Sequence, residues 1–303
     1  MLTQTVLASL ALSTCALPQG DIKLPQTWGQ YFLDKFEAER EYAVNNIEPG
    51  PTPLAQPRTV LLITGVTIPA EWFDPIVARL QRDGFNPVVY EPPGLLSGDL
   101  FENSEALAEV IDNIRAETGE EKIDILAECT GGLIARHYIQ ALGGDQHVSR
   151  LVTFISPQHG LPKAAWAYSL VGWPALSDLT PGSEFLTTVN NAKLPTNVNV
   201  TSIYTCTDEY IQPYKTSIIP GAKNINLCSG KFVGHYQFFY DPEIYKLMHA
   251  ELIAPTANDG KADGETAEEP NEVGGCSSTG ASGGLIVLGI ALAGLRRRRA
   301  KRA

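Results

Sequence analysis

The sequence predicts an α/β protein built on a doubly wound, mostly parallel β-sheet. Short continuous apolar runs recur along the chain, and their turn-residue boundaries are typical of strands buried on both faces of a parallel sheet. Stretches with apolar residues at helical spacing separate these runs, and this alternation of strands and helices predicts parallel βαβ units. With 303 residues, 44% of them hydrophobic, the chain is also long and apolar enough for a large buried core.

The predicted elements follow in a regular order. Residues 27–47 have aromatic and apolar side chains at helical spacing, which predicts a helix packed on the outside of the domain. Residues 161–197 break the order of strands and helices, because they are rich in aromatic residues and Pro. The expected strands span residues 59–64, 87–90, 123–127, 150–155, 199–204 and 224–227, and the expected helices span 70–83, 104–118, a segment ending at Gly143 and Gly144, and 242–253.

The charge of the chain excludes one class of partner. Its formal net charge is −11, and six of the 23 Lys and Arg residues lie within residues 296–302, so the rest of the chain is more acidic still. A basic surface that could bind the phosphate backbone is therefore not expected. We predict no nucleic-acid partner.

Both ends of the chain have patterns typical of exported proteins. Residues 1–16 contain an apolar core of signal-peptide length, and we expect a signal peptide there. At the other end, Cys276 is followed by an apolar run and then by four arginines at 296–299. This order resembles the MYXO-CTERM type of sorting tail and implies processing near Cys276 and anchoring at the cell surface. A plain membrane anchor is the alternative, although the run is short for a span.

Two of the five cysteines lie in the predicted terminal segments, and three lie in the predicted folded domain. Removal of Cys15 with the signal peptide and assignment of Cys276 to the tail leave Cys129, Cys206 and Cys228. Both interpretations of the tail place the folded domain outside the cytoplasm, where disulfides form and persist. We therefore expect a disulfide between Cys206 and Cys228, with Cys129 as a free thiol.

The free thiol lies on the stretch around which the chain is organised. A short apolar run ends at Ala127, the chain turns through Glu128 and Cys129, and Gly131 and Gly132 begin an amphipathic helical pattern. This layout of small residue, nucleophile and glycine resembles the nucleophile elbow of the α/β-hydrolase superfamily, where Ser usually stands at the position of Cys129. The resemblance implies an α/β-hydrolase fold with Cys129 as the nucleophile.

Three further segments resemble the lipase and esterase branch of that superfamily, in particular its triacylglycerol lipases. They are residues 151–160, 179–186 and 235–245, and the resemblance extends over residues 58–253. It implies a small cap or lid insertion at about 161–197, for which an aromatic-rich packing layer is the alternative. The expected organisation is a signal peptide (1–16), an N-terminal helical extension (17–57), the hydrolase domain (58–254), an acidic linker (255–273) and the sorting or membrane-anchor tail (274–303).

The resemblance assigns a catalytic triad. In this superfamily the acid and then the histidine follow the nucleophile, which points to Asp208 as the acid and His235 as the base. Both lie at or after the carboxyl ends of predicted strands, where open α/β sheets place their active sites. Glu209 is the substitute acid if Asp208 points away.

Two backbone N–H groups would form the oxyanion hole. Thr130, the residue after the nucleophile, supplies one. By the resemblance, the second comes from Val66, which follows Thr64 and Gly65 at the end of the first strand. Thr64 replaces the family's usual His, which leaves the backbone donor available but changes how the loop is held.

Two departures from the family pattern concern the nucleophile. A thiolate is a strong nucleophile, but the longer C–S bond at Cys129 changes a geometry suited to oxygen attack. Glu128 stands where lipases usually have His, and its carboxylate would raise the pKa of the thiol unless it points away or is neutralised. Three interpretations follow: an active cysteine hydrolase, an inactive homologue that binds a lipid or protein partner, or other chemistry.

We expect an exported, surface-anchored carboxylic ester hydrolase that acts on an ester or lipid through a thioester on Cys129. Trp166, Tyr168 and Trp173 are candidate residues of the acyl pocket. No dinucleotide fingerprint, phosphate-binding loop or cluster with metal-ligand spacing is visible, so we predict no cofactor and no metal. The membrane is a partner only through the tail, and the sequence does not determine the oligomeric state.

Overall fold

The structure is a computed structural model that describes residues 28–229 and 232–256. The predicted signal peptide, the tail and nearly all of the linker lie outside the described residues. Of the described residues, no helix is long and apolar enough to cross a membrane.

Six parallel strands form a single sheet in the order β2-β1-β3-β4-β5-β6. They are β1 (Thr59–Ile63), β2 (Asn86–Tyr90), β3 (Ile123–Glu128), β4 (Val148–Phe154), β5 (Asn199–Tyr204) and β6 (Lys223–Asn226). The α-helices are Trp28–Asn45, Asp74–Arg82, Pro93–Leu96, Leu100–Thr118, Thr130–Ala141, Ala164–Val171, Pro174–Asp178, Glu184–Asn191, Gln237–Tyr240 and Pro242–Ile253, with short 3-10 helices at Ala70–Phe73, Gly144–Gln146 and Tyr214–Ser217. The predicted doubly wound, parallel α/β class is confirmed.

Side chains of alternate strand residues form a core on each face of the sheet. In β1, Leu61 and Ile63 pack with the helices Leu100–Thr118 and Thr130–Ala141. Val60 and Leu62 point to the other face, where they pack with residues of the helices Asp74–Arg82 and Pro242–Ile253. Because both faces of the strand are covered, all five residues of β1 are buried.

The order of the strands reverses between β1 and β3. The chain runs from β1 outward to β2, returns to β3 beside β1, and then continues in the other direction. In open parallel sheets the carboxyl ends of the strands next to such a switch point form a crevice that no crossover covers. Here those ends lead directly into Thr64-Gly65-Val66 and into Cys129.

The two halves of residues 161–197 differ in how they pack. The helices Pro174–Asp178 and Glu184–Asn191 contribute Ala175, Phe185 and Val189 to the core on one face of the sheet. The helix Ala164–Val171 instead exposes its large apolar side chains to solvent. The second half of the segment is therefore a packing layer, and a lid role for the first half stays a prediction.

Candidate active site

Cys129 lies on a strained turn between β3 and the helix Thr130–Ala141. Its φ of 47° and ψ of −122° fall in a region that residues with a Cβ rarely adopt. The backbone N–H of Cys129 donates to the carbonyl of Phe154, and Ser156 Oγ donates to the carbonyl of Cys129. These bonds hold the turn against β4, so the thiol stands partly exposed above the sheet.

Glycines allow the chain to pass very close to this turn. A Cβ at Gly131 would approach the carbonyl oxygens of Ile63 and Thr64 to 2.8 Å. A Cβ at Gly65 would meet Glu128 Oε2 at 2.4 Å and the Cβ of Cys129 at 2.7 Å. Real Cβ contacts are longer than these distances, so glycine is required at both positions for the helix and the loop after β1 to approach the thiol.

Asp208 and His235 form the hydrogen-bonded pair that the sequence predicts. The Nδ1 atom of His235 lies 2.8 Å from Asp208 Oδ2. The other carboxylate oxygen of Asp208 accepts from the backbone N–H groups of Tyr210 and Ile211 at 2.8 and 2.7 Å. These bonds fix the carboxylate, and the carboxylate in turn selects the His235 tautomer that carries a proton on Nδ1 and aims Nε2 at the elbow.

The substitute acid has a different task. Glu209 Oε2 accepts a hydrogen bond from the backbone N–H of His235 at 2.9 Å, so its carboxylate supports the histidine loop and not the imidazole ring. The predicted disulfide joins Cys206 to Cys228, which links the loop that carries Asp208 and Glu209 to the segment just before the histidine loop. Cys129 is free, as expected.

Glu128 occupies the position at which the triad would close. Its Oε1 lies 3.0 Å from His235 Nε2, and its Oε2 accepts from the backbone N–H of Gly65 at 2.7 Å. The Cys129 sulfur lies within 4.8 Å of the nearest ligand atoms of Glu128 and His235. The thiol and the carboxylate therefore both face one imidazole nitrogen, and the carboxylate lies at hydrogen-bond distance from it.

Nearby carboxylates raise the pKa values of both His235 and Cys129. Burial acts to lower the pKa of His235, but the charge and hydrogen bond of Asp208, helped by bonds to Cys129 and Glu128, hold it well above its usual value. Burial raises the pKa of the Cys129 thiol, and the nearby charge of Glu128 raises it further. Both pKa shifts favour the protonated form of the group, so they oppose formation of the thiolate on Cys129.

The two predicted oxyanion donors lie at the ends of neighbouring strands. Val66 follows β1, and Thr130 is the first residue of the helix after Cys129. Among the described residues neither backbone N–H donates to a protein acceptor, as expected for Thr130 because the first N–H groups of a helix lack intrahelical partners. Both N–H groups are thus available to a ligand oxygen.

The candidate acyl-pocket residues lie on the exposed side of residues 161–197. Trp166 is 51% exposed and Tyr168 is 43% exposed on the helix Ala164–Val171, and Trp173 is half-buried. An open cavity of about 310 Å³ beside His159 and Lys215 is lined by none of these aromatic residues. This cavity is therefore not the pocket predicted from the three aromatic side chains, and their role in binding an acyl chain stays a prediction.

The bond between Glu128 and His235 was not predicted from the sequence. The effect of the Glu128 carboxylate on the adjacent Cys129 was foreseeable, but Glu128 and His235 are 107 positions apart. An acidic residue at the end of a strand that is buried throughout was the available signal, because a buried carboxylate needs a partner. The same fold-dependent proximity brings together Glu128, Cys129 and His235 as a group that could hold a metal ion, although their spacing indicated none.

Comparisons with known proteins agree with this fold. The family model of lipase (class 2) matches residues 102–241. Lipase B of Pseudozyma antarctica is 28% identical over 169 residues, a match that covers 54% of this chain and 49% of that protein. The chain thus spans about half the length of the curated relative that it matches.

Two solved structures have a similar fold. Aspergillus fumigatus lipase B has a TM-score of 0.57 and 21% identity, covering 65% of this chain and 54% of that one. The mature form of Bacillus licheniformis lipase BlEst2 has a TM-score of 0.52 and 16% identity, covering 66% and 95%. Together with the parallel sheet and the elbow, these matches show that the chain shares the fold of these lipases.

Proposed function

We propose that this chain hydrolyses carboxylic esters through a covalent thioester on Cys129. The observation that carries the proposal is the Asp208–His235 pair, whose outer nitrogen reaches the elbow beside the free thiol. A nucleophile, an oriented base and two unoccupied backbone donors are the parts that acyl transfer requires. The partial similarity to lipases supports esters as the substrate class.

The reaction would take two acyl-transfer steps. Cys129 passes its proton to His235 Nε2 and attacks the ester carbonyl, so that a C–S bond forms and the carbonyl oxygen becomes an oxyanion facing Val66 and Thr130. Collapse of this intermediate breaks the C–O bond to the alcohol, which leaves with the proton from His235. Water, activated by His235, then hydrolyses the thioester and restores the thiol.

Glu128 must release His235 before this sequence begins. While Oε1 holds Nε2, the imidazole cannot accept a proton from the thiol. We propose that this bond opens when an ester enters the site. The carboxylate of Glu128 would then keep its hydrogen bond to the backbone N–H of Gly65 through its other oxygen. The slow turnover expected of such a site follows from the cost of breaking a buried, charged hydrogen bond, roughly 1.5–3 kcal/mol.

The same bond favours a second candidate function. If Glu128 never releases His235, the chain is a hydrolase-like protein without turnover that binds a lipid or a protein partner. The helix Ala164–Val171, which exposes aromatic side chains to solvent, would then form part of the binding surface. The two candidates differ in whether Cys129 forms a covalent acyl intermediate.

The deciding experiment is hydrolysis of short- and long-chain p-nitrophenyl esters by the chain and three variants. Turnover that disappears in Cys129→Ala supports the cysteine hydrolase, and a thioester adduct on Cys129 detected by mass spectrometry would identify the intermediate. Greater turnover in Glu128→Gln would show that the carboxylate restrains the base. Absence of turnover in the parent, in Cys129→Ser and in Glu128→Gln would favour the binding protein.

We also propose export and surface anchoring. The Cys206–Cys228 disulfide supports an oxidising compartment, and the terminal segments described in the sequence would supply the signal and the anchor. Fractionation of producing cells, with and without residues 274–303, tests this: the chain should be surface-associated only when those residues are present.

A further inference from the structure

Three donor atoms of different chemistry converge beneath the elbow. A carboxylate oxygen of Glu128, the sulfur of Cys129 and a ring nitrogen of His235 all lie within 4.8 Å of one another. Glu128 and His235 are almost completely buried, whereas Cys129 is partly exposed, so solvent can reach the cluster from the thiol side. Among the described residues this is the one group of three such side chains that could hold a metal ion.

The distances suit a tetrahedral zinc ion. Zinc binds sulfur at about 2.3 Å and imidazole nitrogen or carboxylate oxygen at about 2.0–2.2 Å, which separates neighbouring donor atoms by roughly 3.3–3.6 Å. Glu128 Oε1 and His235 Nε2 are 3.0 Å apart and would need to open by only a few tenths of an ångström. The sulfur lies within 4.8 Å of both atoms and would move toward the ion on binding.

Two of the three donors already have the supporting partners that zinc ligands usually have. Asp208 holds Nδ1 of His235, which fixes the ring and presents Nε2 as the coordinating atom. Gly65 N–H holds Oε2 of Glu128 and leaves Oε1 to face the cluster. A hydrogen-bonded carboxylate behind the histidine and a fixed carboxylate ligand are features of a built metal site, and they are independent of the proximity of the donors.

We propose that Glu128, Cys129 and His235 form a three-ligand site for Zn²⁺, with water in the fourth position. Cys129 coordinates as the thiolate and His235 through a deprotonated Nε2, and the protons displaced from the sulfur and from Nε2 pass to solvent. The mixture of thiolate, imidazole and carboxylate selects a borderline-soft cation and disfavours Mg²⁺ and Ca²⁺, which prefer oxygen ligands.

Occupancy of the site and acyl transfer are mutually exclusive. The ion takes the sulfur that would attack the ester and the nitrogen that would accept the proton, so Zn²⁺ inhibits reversibly and a chelator restores the free thiol. This inhibition rests on the proposed function, but the binding of the metal does not. A chain without esterase activity would bind zinc in the same way.

The test uses the full-length chain with its disulfide intact, stripped of metal with a chelator and titrated with Co²⁺ and Zn²⁺. We expect one equivalent of Co²⁺ with a sulfur-to-cobalt charge-transfer band, and Zn²⁺ should displace it and protect Cys129 from iodoacetamide. The band should vanish in Cys129→Ser, which retains Cys15 and Cys276. Glu128→Gln and Asp208→Asn should each weaken Zn²⁺ binding about 10–100-fold, measured by competition with a chromophoric chelator.

The control variant removes a histidine side chain that lies outside the proposed metal site. His159→Asn replaces an exposed histidine outside the cluster and should leave binding unchanged. The proposal is overturned if Co²⁺ binds without the charge-transfer band, if Cys129→Ser binds as tightly as the parent, or if no metal binds to the folded chain. Circular dichroism of each variant verifies the fold, and none of these measurements depends on ester turnover.

Discussion

Glu128 and His235 meet through a 3.0 Å contact between Oε1 and Nε2. His235 is thereby held between two carboxylates, since Asp208 bonds its other nitrogen at 2.8 Å. A catalytic histidine normally offers Nε2 to its nucleophile. In this chain Glu128, the residue immediately before Cys129, lies at hydrogen-bond distance from that nitrogen, so we expect the state of Glu128 to control the reactivity of Cys129.

Glu128→Gln should make Cys129 reactive at lower pH. The alkylating species is the thiolate, so the rate rises with pH through the pKa of the thiol, which burial and then the Glu128 charge raise. Glutamine keeps the burial and removes the charge, so the pKa falls and the rise moves to lower pH. The measurement is the rate of iodoacetamide modification against pH in the presence of a chelator.

Glu209→Gln is the matched control for this prediction. It also removes a carboxylate next to the histidine loop, but that carboxylate bonds the backbone N–H of His235 and not the ring. Its alkylation profile should follow that of the parent. A Glu128→Gln profile that coincides with the parent, or moves to higher pH, would contradict the assigned effect of the charge.

Asp208→Asn should abolish most of the proposed turnover while leaving the fold intact. An asparagine amide has no negative charge to stabilise the imidazolium and can favour the wrong tautomer of His235, and in a related catalytic arrangement the equivalent change costs about 10⁴ in kcat. The expected result is a loss of that order in kcat for p-nitrophenyl esters, with a melting temperature close to the parent. A loss below about tenfold would argue that Asp208 does not orient the base.

Phe36→Ala should destabilise the folded chain and disturb the histidine loop. Phe36 is 3% exposed and packs against Trp72 and against Tyr236, the neighbour of His235, with ring centroids 4.4 and 5.2 Å apart. Truncation of a buried Phe typically costs about 3–5 kcal/mol. Urea denaturation measures the change in the free energy of unfolding.

Tyr42→Ala provides the control on the same helix. Tyr42 is 67% exposed, so its removal should change the free energy of unfolding by no more than about 0.5 kcal/mol. Equal effects of the two substitutions would mean that the helix Trp28–Asn45 is not docked through Phe36.

Loss of the Cys206–Cys228 disulfide should cost stability and weaken the Asp208–His235 pair. The bond closes a loop over a sequence separation of 22, and removal of a native disulfide typically costs about 2–5 kcal/mol. The double variant Cys206→Ser/Cys228→Ser should unfold at lower urea than the parent. If its midpoint equals that of the parent under oxidising conditions, the disulfide does not constrain this part of the chain.

Much of the fold followed from local patterns in the sequence. The apolar runs at 59–64 and 123–127 became β1 and β3 to within a residue, because strands buried on both faces require continuous apolar side chains. The position of Cys129 on the turn was also predictable, since the glycines at 131 and 132 leave room for a helix to begin directly after a strand. The order of Asp208 and His235 after Cys129 indicated their pairing through the family resemblance.

Tertiary structure decided the electrostatics of the site. Nothing local shows that Glu128 bonds a histidine 107 positions away, because this contact depends on how the loop after β6 folds back over the end of β3. The exposure of Trp166 and the burial of Phe185 within one aromatic-rich segment were equally a matter of packing. Sequence alone therefore determined which residues the sheet delivers to its carboxyl edge, whereas long-range contacts decided which atoms meet there, because hydrogen bonds and charges act between neighbours in space.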